Sequence, residues 1–227
     1  MGVHDGHRKN LRQSFLITGL AGKTEHQALE LLLTYAIPRI DVNPIAHELI
    51  DKFGSLAGVI DADPAELVKV NHVTENTVVL FKLITAVSEM YAESKWCGRP
   101  VLNTAKKVKE FLAPKFVGCR NEKLYMVCLD AHLQLNYLAL LSEGTPDETT
   151  VNMRTAIAHI LRSGAKQVIF AHNHPSGIPD PSMKDVILTN SAVKAFEPLG
   201  VTVIDHMIFA GNNIFSFKEN GFMEELP

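Results

Sequence analysis

The chain has 227 residues, of which 46% are hydrophobic and 21% are charged, and its formal net charge is −3. This apolar content is enough for a buried core and excludes a disordered chain, and the near-neutral charge excludes a general attraction to nucleic acid or anionic membranes. At ~150 residues per domain, the length allows one large domain or two modest ones.

The cysteines and the start of the chain bear on the cellular compartment. Cys97, Cys119 and Cys128 form no CxxC pair, so they favour neither a disulfide framework nor a thiolate zinc site. Residues 1–20 lack the long apolar core of a secretion signal, and no window reaches the ~18 apolar residues of a membrane span. We therefore expect a cytoplasmic protein without membrane contact.

The N-terminal half has the apolar spacing of helices. Apolar residues recur at helical spacing from Leu29 to Ala36, and Pro38 ends this run. Asn43-Pro44 and Asp63-Pro64 each combine a cap residue with a proline at the first helical position, which favours two further helix starts. A longer helical pattern covers residues 78–87. These signals predict an all-helical N-terminal domain.

The period of the apolar pattern changes near residue 120. The predicted elements around and after this point are a helix over 104–116, a hairpin of strands 123–130 and 135–141, a helix over 152–162, a buried strand over 167–171, a helix over 182–196, and strands over 201–209 and 214–217. Strands that alternate with helices indicate an α/β domain. We therefore predict a helical domain over 1–98 and an α/β domain over 103–227.

One stretch departs from the neutral charge of the chain. Between Lys95 and Lys123 there are eight basic and two acidic residues, a local charge of +6. Few aromatic residues are interspersed, so a solvated helix face plus a linker explains the stretch better than a nucleic-acid surface does. Nucleic acid is accordingly a weakly supported partner.

The densest chemical signal lies in residues 171–185. His172 and His174 are separated by one residue, so in an extended segment both imidazoles point to the same side. They end a predicted buried strand, where α/β sheets present ligand sites, and Asp185 lies in the first turn of the next helix. Two imidazoles and one carboxylate are the ligand set of a catalytic zinc site. Iron(II) uses the same set, but the loop and the spacing favour zinc.

Parts of this pattern also fit ordinary structural roles. Ser182 and Asp185 suit a helix cap, which stabilises a helix start by ~1 kcal/mol without any metal, but capping does not account for the paired histidines. For His206 we expect packing at a strand end or support of a ligand from behind. The remaining histidines are expected to be structural or solvated: His4, His7, His26, His47, His72, His132 and His159.

The pattern His172-x-His174-Pro175, followed by Ser182 and Asp185, resembles the JAMM motif of the MPN-type zinc metalloproteases. The surrounding residues, including Asp205-His206, are similar to the RadC branch of that group, and the resemblance covers essentially the whole chain. It implies an MPN-like, cytidine-deaminase-like mixed sheet flanked by helices. It also implies that the N-terminal all-helical domain is a helix-hairpin-helix-like module.

The resemblance also implies roles for individual residues. It places zinc on His172, His174 and Asp185, and it places the general acid/base on Glu122, which the residues alone do not distinguish from other glutamates. It implies that Ser182 donates to the developing oxyanion or to the zinc-bound water. The implied activity is zinc-dependent hydrolysis of a peptide or isopeptide substrate.

Two departures from the family pattern leave other functions open. Val70-Asn71-His72-Val73 lacks the glycines with which the family's hairpin approaches DNA phosphates, and Thr155 follows Arg154 where the family has glutamate. The alternative function is a DNA repair or recombination protein that binds DNA or acts as a scaffold with a structural zinc domain. A third possible function is hydrolysis or deamination of a small molecule, although the deaminase signature of His-x-Glu with Pro-Cys-x-x-Cys does not occur.

Overall fold

The computed structural model describes residues 3–94, 98–144 and 151–223. The chain divides into two compact units, residues 1–88 and residues 89–227. The limits of 98 and 103 for the two domains stay predictions, and Cys97 lies outside the described residues. None of the described helices combines the length and the apolar character needed to cross a membrane.

The first unit is helical, as predicted. Its helices are α1 (Val3–Thr18), α2 (Glu25–Ala36), α3 (Asn43–Phe53), α4 (Leu56–Asp61), α5 (Pro64–Leu67) and α6 (Glu75–Ser94), the last of which continues into the second unit. Asp63 caps α5 and Pro64 is its first residue, as predicted, whereas α3 begins one residue earlier than predicted, with Val42 as its cap and Asn43 as its first residue. The core of this unit is formed by side chains such as Leu29, Leu49 and Phe81.

Helix α1 is attached to α2 by polar contacts. The Arg8 guanidinium donates to the carbonyl oxygens of Thr34, Ile37 and Ile40 at 3.2, 2.8 and 2.6 Å. These carbonyls lie at the end of α2 and just beyond it, where helix carbonyls lack partners within the helix. One arginine therefore both caps α2 and holds α1 in place.

Replacing Arg8 with alanine should lower the free energy of unfolding by about 2–3 kcal/mol, because three carbonyls lose a charged donor. Denaturant titration followed by circular dichroism measures the change. Lys9→Ala alters the neighbouring exposed residue and should cost less than about 0.5 kcal/mol. Equal stabilities of the two variants would show that Arg8 does not anchor the helix.

The turn between α5 and α6 replaces the expected glycine with histidine. His72 has a φ of 65°, in the left-handed region that favours glycine. The Val73 N–H donates to the Val70 carbonyl at 3.1 Å and closes the turn. The turn thus keeps a glycine-like backbone at His72, and the helix-hairpin-helix assignment stays a prediction.

The second unit is an α/β domain, and its elements follow the predicted order. They are α7 (Ala105–Leu112), β1 (Glu122–Leu129), β2 (Leu135–Gly144), α8 (Met153–Ser163), β3 (Gln167–Asn173), α9 (Met183–Phe196), β4 (Thr202–Ala210) and β5 (Asn213–Ser216). The strands form one sheet in the order β2-β1-β3-β4-β5. Only β3 and β4 pair in parallel, so the sheet is mixed, which confirms the predicted fold class.

Helices cover both faces of this sheet. Met126 and Phe170 pack with residues of α8 and α9 on one face, while Val127 and Ile169 pack with residues of α7 on the other. Side chains alternate between faces along a strand, so His172 lies on the same face as Phe170. The end of β3 thereby directs His172 towards α9.

Candidate metal centre

Three elements of the second unit bring four ionisable side chains together. Glu122 begins β1, His172 lies near the end of β3, His174 follows that strand, and Asp185 lies in the first turn of α9. One potential ligand atom from each lies within 4.8 Å of all the others. Across residues 3–94, 98–144 and 151–223, no other group of three or more His, Cys, Asp or Glu side chains has this spacing.

Potential donor atoms of three of these residues lie at distances suitable for a metal ion. His172 Nε2 lies 2.9 Å from His174 Nε2 and 3.2 Å from Asp185 Oδ1, and His174 Nε2 lies 3.7 Å from Asp185 Oδ2. Ligand atoms of a tetrahedral site with ~2.0–2.1 Å bonds lie about 3.3 Å apart. The predicted ligand residues therefore come together at distances that fit a metal.

The hydrogen bond of His174 determines which of its nitrogens is free. Its Nδ1 lies 2.8 Å from the carbonyl oxygen of Ile178. A carbonyl only accepts, so Nδ1 carries the hydrogen and Nε2 keeps its lone pair. His174 thus presents an unprotonated Nε2 to His172 and Asp185.

A chain of three hydrogen bonds likewise determines which nitrogen of His172 is free. The Thr189 hydroxyl donates to the Asp185 carbonyl oxygen at 2.6 Å, so its oxygen accepts from His206 Nδ1–H at 2.7 Å. His206 Nε2 then accepts from His172 Nδ1–H at 2.8 Å. The remaining nitrogen of His172, Nε2, therefore carries a lone pair towards the cluster. His206 thus contacts the potential ligand His172 from behind, an arrangement that fits one of its two predicted roles.

The charge states of His172 and Asp185 match those of metal ligands. Burial lowers the pKa of His172 to about 4, so this imidazole is neutral near pH 7. Burial acts to raise the pKa of Asp185, but contacts with His174, His172 and Ser182 hold that pKa below its usual range. Contact with the Asp185 carboxylate raises the pKa of His174, so a proton on its Nε2 competes with a metal ion for this position. Two lone pairs and a carboxylate that face one point repel one another, so a cation or a proton between them is favourable.

Ser182 holds the carboxylate of Asp185. Its hydroxyl donates to Asp185 Oδ2 at 2.6 Å, and its backbone N–H donates to the same oxygen at 2.8 Å. These contacts belong to the predicted helix cap and use Oδ2, whereas the closest contact of Asp185 with His172 uses Oδ1. The hydroxyl proton is directed to Asp185 in this structure, and donation to an oxyanion stays a prediction.

Glu122 lies beside the three potential ligands. Burial raises the pKa of Glu122, the charge of Asp185 adds to this effect, and His174 and Lys184 oppose it. Within the described residues, no hydrogen bond restrains its carboxylate. A half-buried carboxylate with a raised pKa next to a metal centre is suited to accept and return a proton.

The cluster opens into a cleft of about 930 Å³. Arg120 and Lys184 are the cationic side chains of its lining. Much of the remaining wall is apolar and is formed by Val151, Met153, Met183, Ile187 and Leu188. Met183 and Ile187 are 73% and 58% exposed, one turn of α9 apart, and so form an accessible apolar wall.

The basic stretch that ends at Lys123 does not form one cationic surface. Four of its described lysines face glutamates: Lys106 and Glu110 at 3.9 Å, Lys109 and Glu219 at 3.0 Å, Lys115 and Glu89 at 3.7 Å, and Lys123 and Glu143 at 3.4 Å. Each pair offsets a positive charge locally. Lys95 lies outside the described residues.

Sequence reasoning missed two residues that support the site. Thr189 lies four residues after Asp185 on α9, so both face the same side of the helix. Asn173 lies between the two histidines, and its side chain contacts the backbone on both sides of Glu122. That Thr189 is one helical turn from Asp185 is a signal in the sequence, whereas the contact of Asn173 depends on how β1 and β3 pair.

Comparison with known proteins agrees with this geometry. The profile of the RadC-like JAB domain matches residues 102–222, which include all four residues of the cluster. A UPF0758 protein of Fusobacterium nucleatum is 34% identical over 227 residues, 97% of this chain and 98% of the relative. A UPF0758 protein of Rhodobacter capsulatus is 33% identical over 94% of this chain and 100% of the relative. A UPF0758 protein of Ruegeria pomeroyi is 31% identical over 96% of this chain and 97% of the relative.

Proposed function

Because the chain belongs to the RadC family, we propose that it is a JAMM-type zinc-dependent hydrolase that cleaves peptide or isopeptide bonds. The observation that carries the proposal is the convergence of Glu122, His172, His174 and Asp185 within 4.8 Å. Two nitrogen ligands, one carboxylate ligand and a separate carboxylate base form one of the combinations by which zinc sites catalyse hydrolysis.

Zinc would be held by His172 Nε2, His174 Nε2 and Asp185 Oδ1. When bound there, zinc polarises a substrate carbonyl and lowers the pKa of water towards ~7. Three protein ligands beside an open cleft are typical of catalytic zinc sites, whereas structural sites have four. Iron(II) shares this donor set, so metal analysis distinguishes the two.

Glu122 would move the proton that hydrolysis requires. Its carboxylate takes a proton from the attacking water and returns it to the leaving amine, without acting as a ligand. The raised pKa of Glu122 supports the second transfer, because a carboxyl with a higher pKa holds its proton more readily near neutral pH. Ser182 would keep Asp185 oriented, and we propose that its hydroxyl also donates to the oxyanion.

The cleft supports a peptide substrate over a polynucleotide. Apolar side chains such as Met153, Ile187 and Leu188 line the wall beside the cluster. Such a wall receives side chains, whereas a site for nucleic acid needs cations along the phosphate backbone and stacking aromatic residues. The DNA-binding alternative is less well supported, because four lysines of the basic stretch face glutamates.

Peptide profiling of the full chain tests the proposal. The zinc-loaded protein is incubated with a peptide library, and new termini are identified by mass spectrometry. We expect new termini that depend on zinc and are absent with the Glu122→Gln variant. If the wild type and this variant gave the same termini, the hydrolase proposal would be wrong.

Replacing Thr189 with valine should weaken zinc binding by about 10- to 100-fold, because the hydrogen-bond chain that orients His172 loses its end. Thr189→Ser keeps the hydroxyl and is expected to bind zinc nearly as well as the wild type. Competition with a chromophoric chelator measures the affinity. If the valine variant bound zinc as tightly as the serine variant, the chain of hydrogen bonds would have no part in ligation.

A further inference from the structure

We propose that Asn173, the residue between the two histidines, is a positioning residue that holds Glu122 at the metal centre. The inference rests on the proposed function, since it assigns Glu122 the role of the base. It goes beyond that function by naming the group that sets the position of the base.

The side-chain amide of Asn173 binds the backbone on both sides of Glu122. Its Oδ1 accepts from the Lys123 N–H at 2.7 Å, and its Nδ2 donates to the Asn121 carbonyl oxygen at 3.0 Å. Asn173 is only 5% exposed, so water competes little for these bonds. Both polar groups of the amide are thus used on the two peptide groups next to Glu122.

These bonds replace strand pairing that ends at this point. The register of β1 and β3 stops at Leu124 and His172, two residues after Glu122. After His172 the chain remains paired with β4 instead of β1. Asn173 pairs with Phe209, and the His174 N–H donates to the Phe209 carbonyl at 2.8 Å. The Asn173 side chain carries the same donor and acceptor as a peptide group. It therefore continues the attachment of β1 to β3 where the backbone of β3 no longer reaches.

Glu122 depends on this attachment because its own carboxylate has no hydrogen bond within the described residues. Its neighbour on the other side is Gly144, the last residue of β2. The position of the carboxylate is therefore set largely by the backbone of residues 121–123. A displacement of ~1 Å at a reacting group can cost about 100-fold in rate, so a rigid backbone here has a direct chemical consequence.

The sequence of the motif gains a physical explanation from this arrangement. Side chains alternate along β3, so His172 and His174 face the metal centre while Asn173 is directed away from it. Three successive residues then fix two ligands and the base relative to one another. Alanine is too short to reach the backbone of β1, and aspartate lacks the donor for the Asn121 carbonyl.

Three measurements on the zinc-loaded full chain test the inference. They are the affinity for zinc, the affinity for acetohydroxamic acid, and the hydrogen-exchange rate of the Lys123 amide. Acetohydroxamic acid binds zinc through its two oxygens as its anion and passes its proton to a nearby base, so its affinity reports on the position of Glu122 without a known substrate. The variants are Asn173→Ala and Glu122→Gln. Asn136→Ala is the matched control, because the Asn136 amide also donates to a backbone carbonyl, that of Ser163 at 3.0 Å.

We expect Asn173→Ala and Glu122→Gln each to weaken acetohydroxamic acid binding by about tenfold, the effect of one lost charge-assisted hydrogen bond. Zinc affinity should change by less than about threefold, since the contacts that orient both histidines remain. The Lys123 amide should exchange at least about tenfold faster in Asn173→Ala, because its acceptor is gone. Asn136→Ala should match the wild type in all three measurements.

A purely structural role for Asn173 would weaken zinc and acetohydroxamic acid binding together, and that result overturns the inference. The inference is also overturned if Asn173→Ala binds zinc and acetohydroxamic acid as tightly as the wild type does while Glu122→Gln weakens acetohydroxamic acid binding. If Asn173→Ala fails to fold, hydrogen exchange of the wild type is the deciding measurement. A Lys123 amide that exchanges as fast as in an unfolded chain would refute its contact with Asn173. If the wild type binds no zinc, or Glu122→Gln has no effect on acetohydroxamic acid, the proposed function fails and this inference with it.

Discussion

The Glu122→Gln variant should cleave peptides about 10²- to 10⁴-fold more slowly than the wild type, the usual cost of removing a general acid/base. Glutamine has nearly the same shape as glutamate but cannot take a proton from water. Initial rates of cleavage, measured on a peptide found by profiling, give the ratio. The zinc content of the variant should equal that of the wild type, because Glu122 is not one of the proposed ligands.

Glu143→Gln is the matched control for this variant. Glu143 lies on the neighbouring strand β2, is exposed, and is not in the cluster. The same chemical change at that position should leave the rate within about twofold of the wild type, as expected for a surface substitution. Equal rates for Glu122→Gln and Glu143→Gln would show that Glu122 is not the base.

The His172→Ala variant should lose zinc and activity together. The substitution removes one of three proposed ligands and leaves Nε2 of the buried His206 without its partner, so the loss of zinc affinity should exceed the 10- to 100-fold typical of an outer contact. Metal analysis after dialysis against a weak chelator measures the bound zinc. We expect stoichiometric zinc in the wild type and almost none in the variant.

His132→Ala serves as the control, since His132 is exposed and not part of the cluster. It should retain zinc at the level of the wild type. His174→Ala should lose zinc as His172→Ala does, although His174 is oriented by a single backbone carbonyl. If His172→Ala retained zinc through dialysis, the proposed ligand set would be wrong.

Local patterns were sufficient to predict the individual strands and the potential metal ligands. The apolar runs of β1 and β3 and the cap at Ser182 are features of neighbouring residues, so they can be recognised without knowledge of the fold. The period of two placed His172 and His174 on one side, and the cap placed Asp185 in the first turn of α9.

Contacts between distant residues were not predictable in this way. Glu122 is far from His172 in the chain and comes near it only because β1 pairs with β3, so the family resemblance was needed to single it out. Asn173 binds the backbone beside Glu122 through the same pairing. Neither the spacing nor the composition of the sequence encodes which strands become neighbours.

Helix α1 was missed for a different physical reason. It is polar on average and offers few apolar residues to a periodic pattern, and Leu16 and Ile17 are each 83% exposed. Its attachment depends on Arg8, which binds carbonyls near the end of α2. Polar contacts of this kind leave no periodic signal in the sequence.

X-ray absorption spectroscopy of the zinc-loaded full chain tests the central claim most directly, because it identifies the atoms bound to the metal. The account predicts nitrogen and oxygen neighbours at ~2.0–2.1 Å, with the outer-shell scattering of imidazole rings. It also predicts that the imidazole signal falls in the His172→Ala variant. Sulfur neighbours at ~2.3 Å, or a spectrum without imidazole, would contradict a metal centre built from His172, His174 and Asp185.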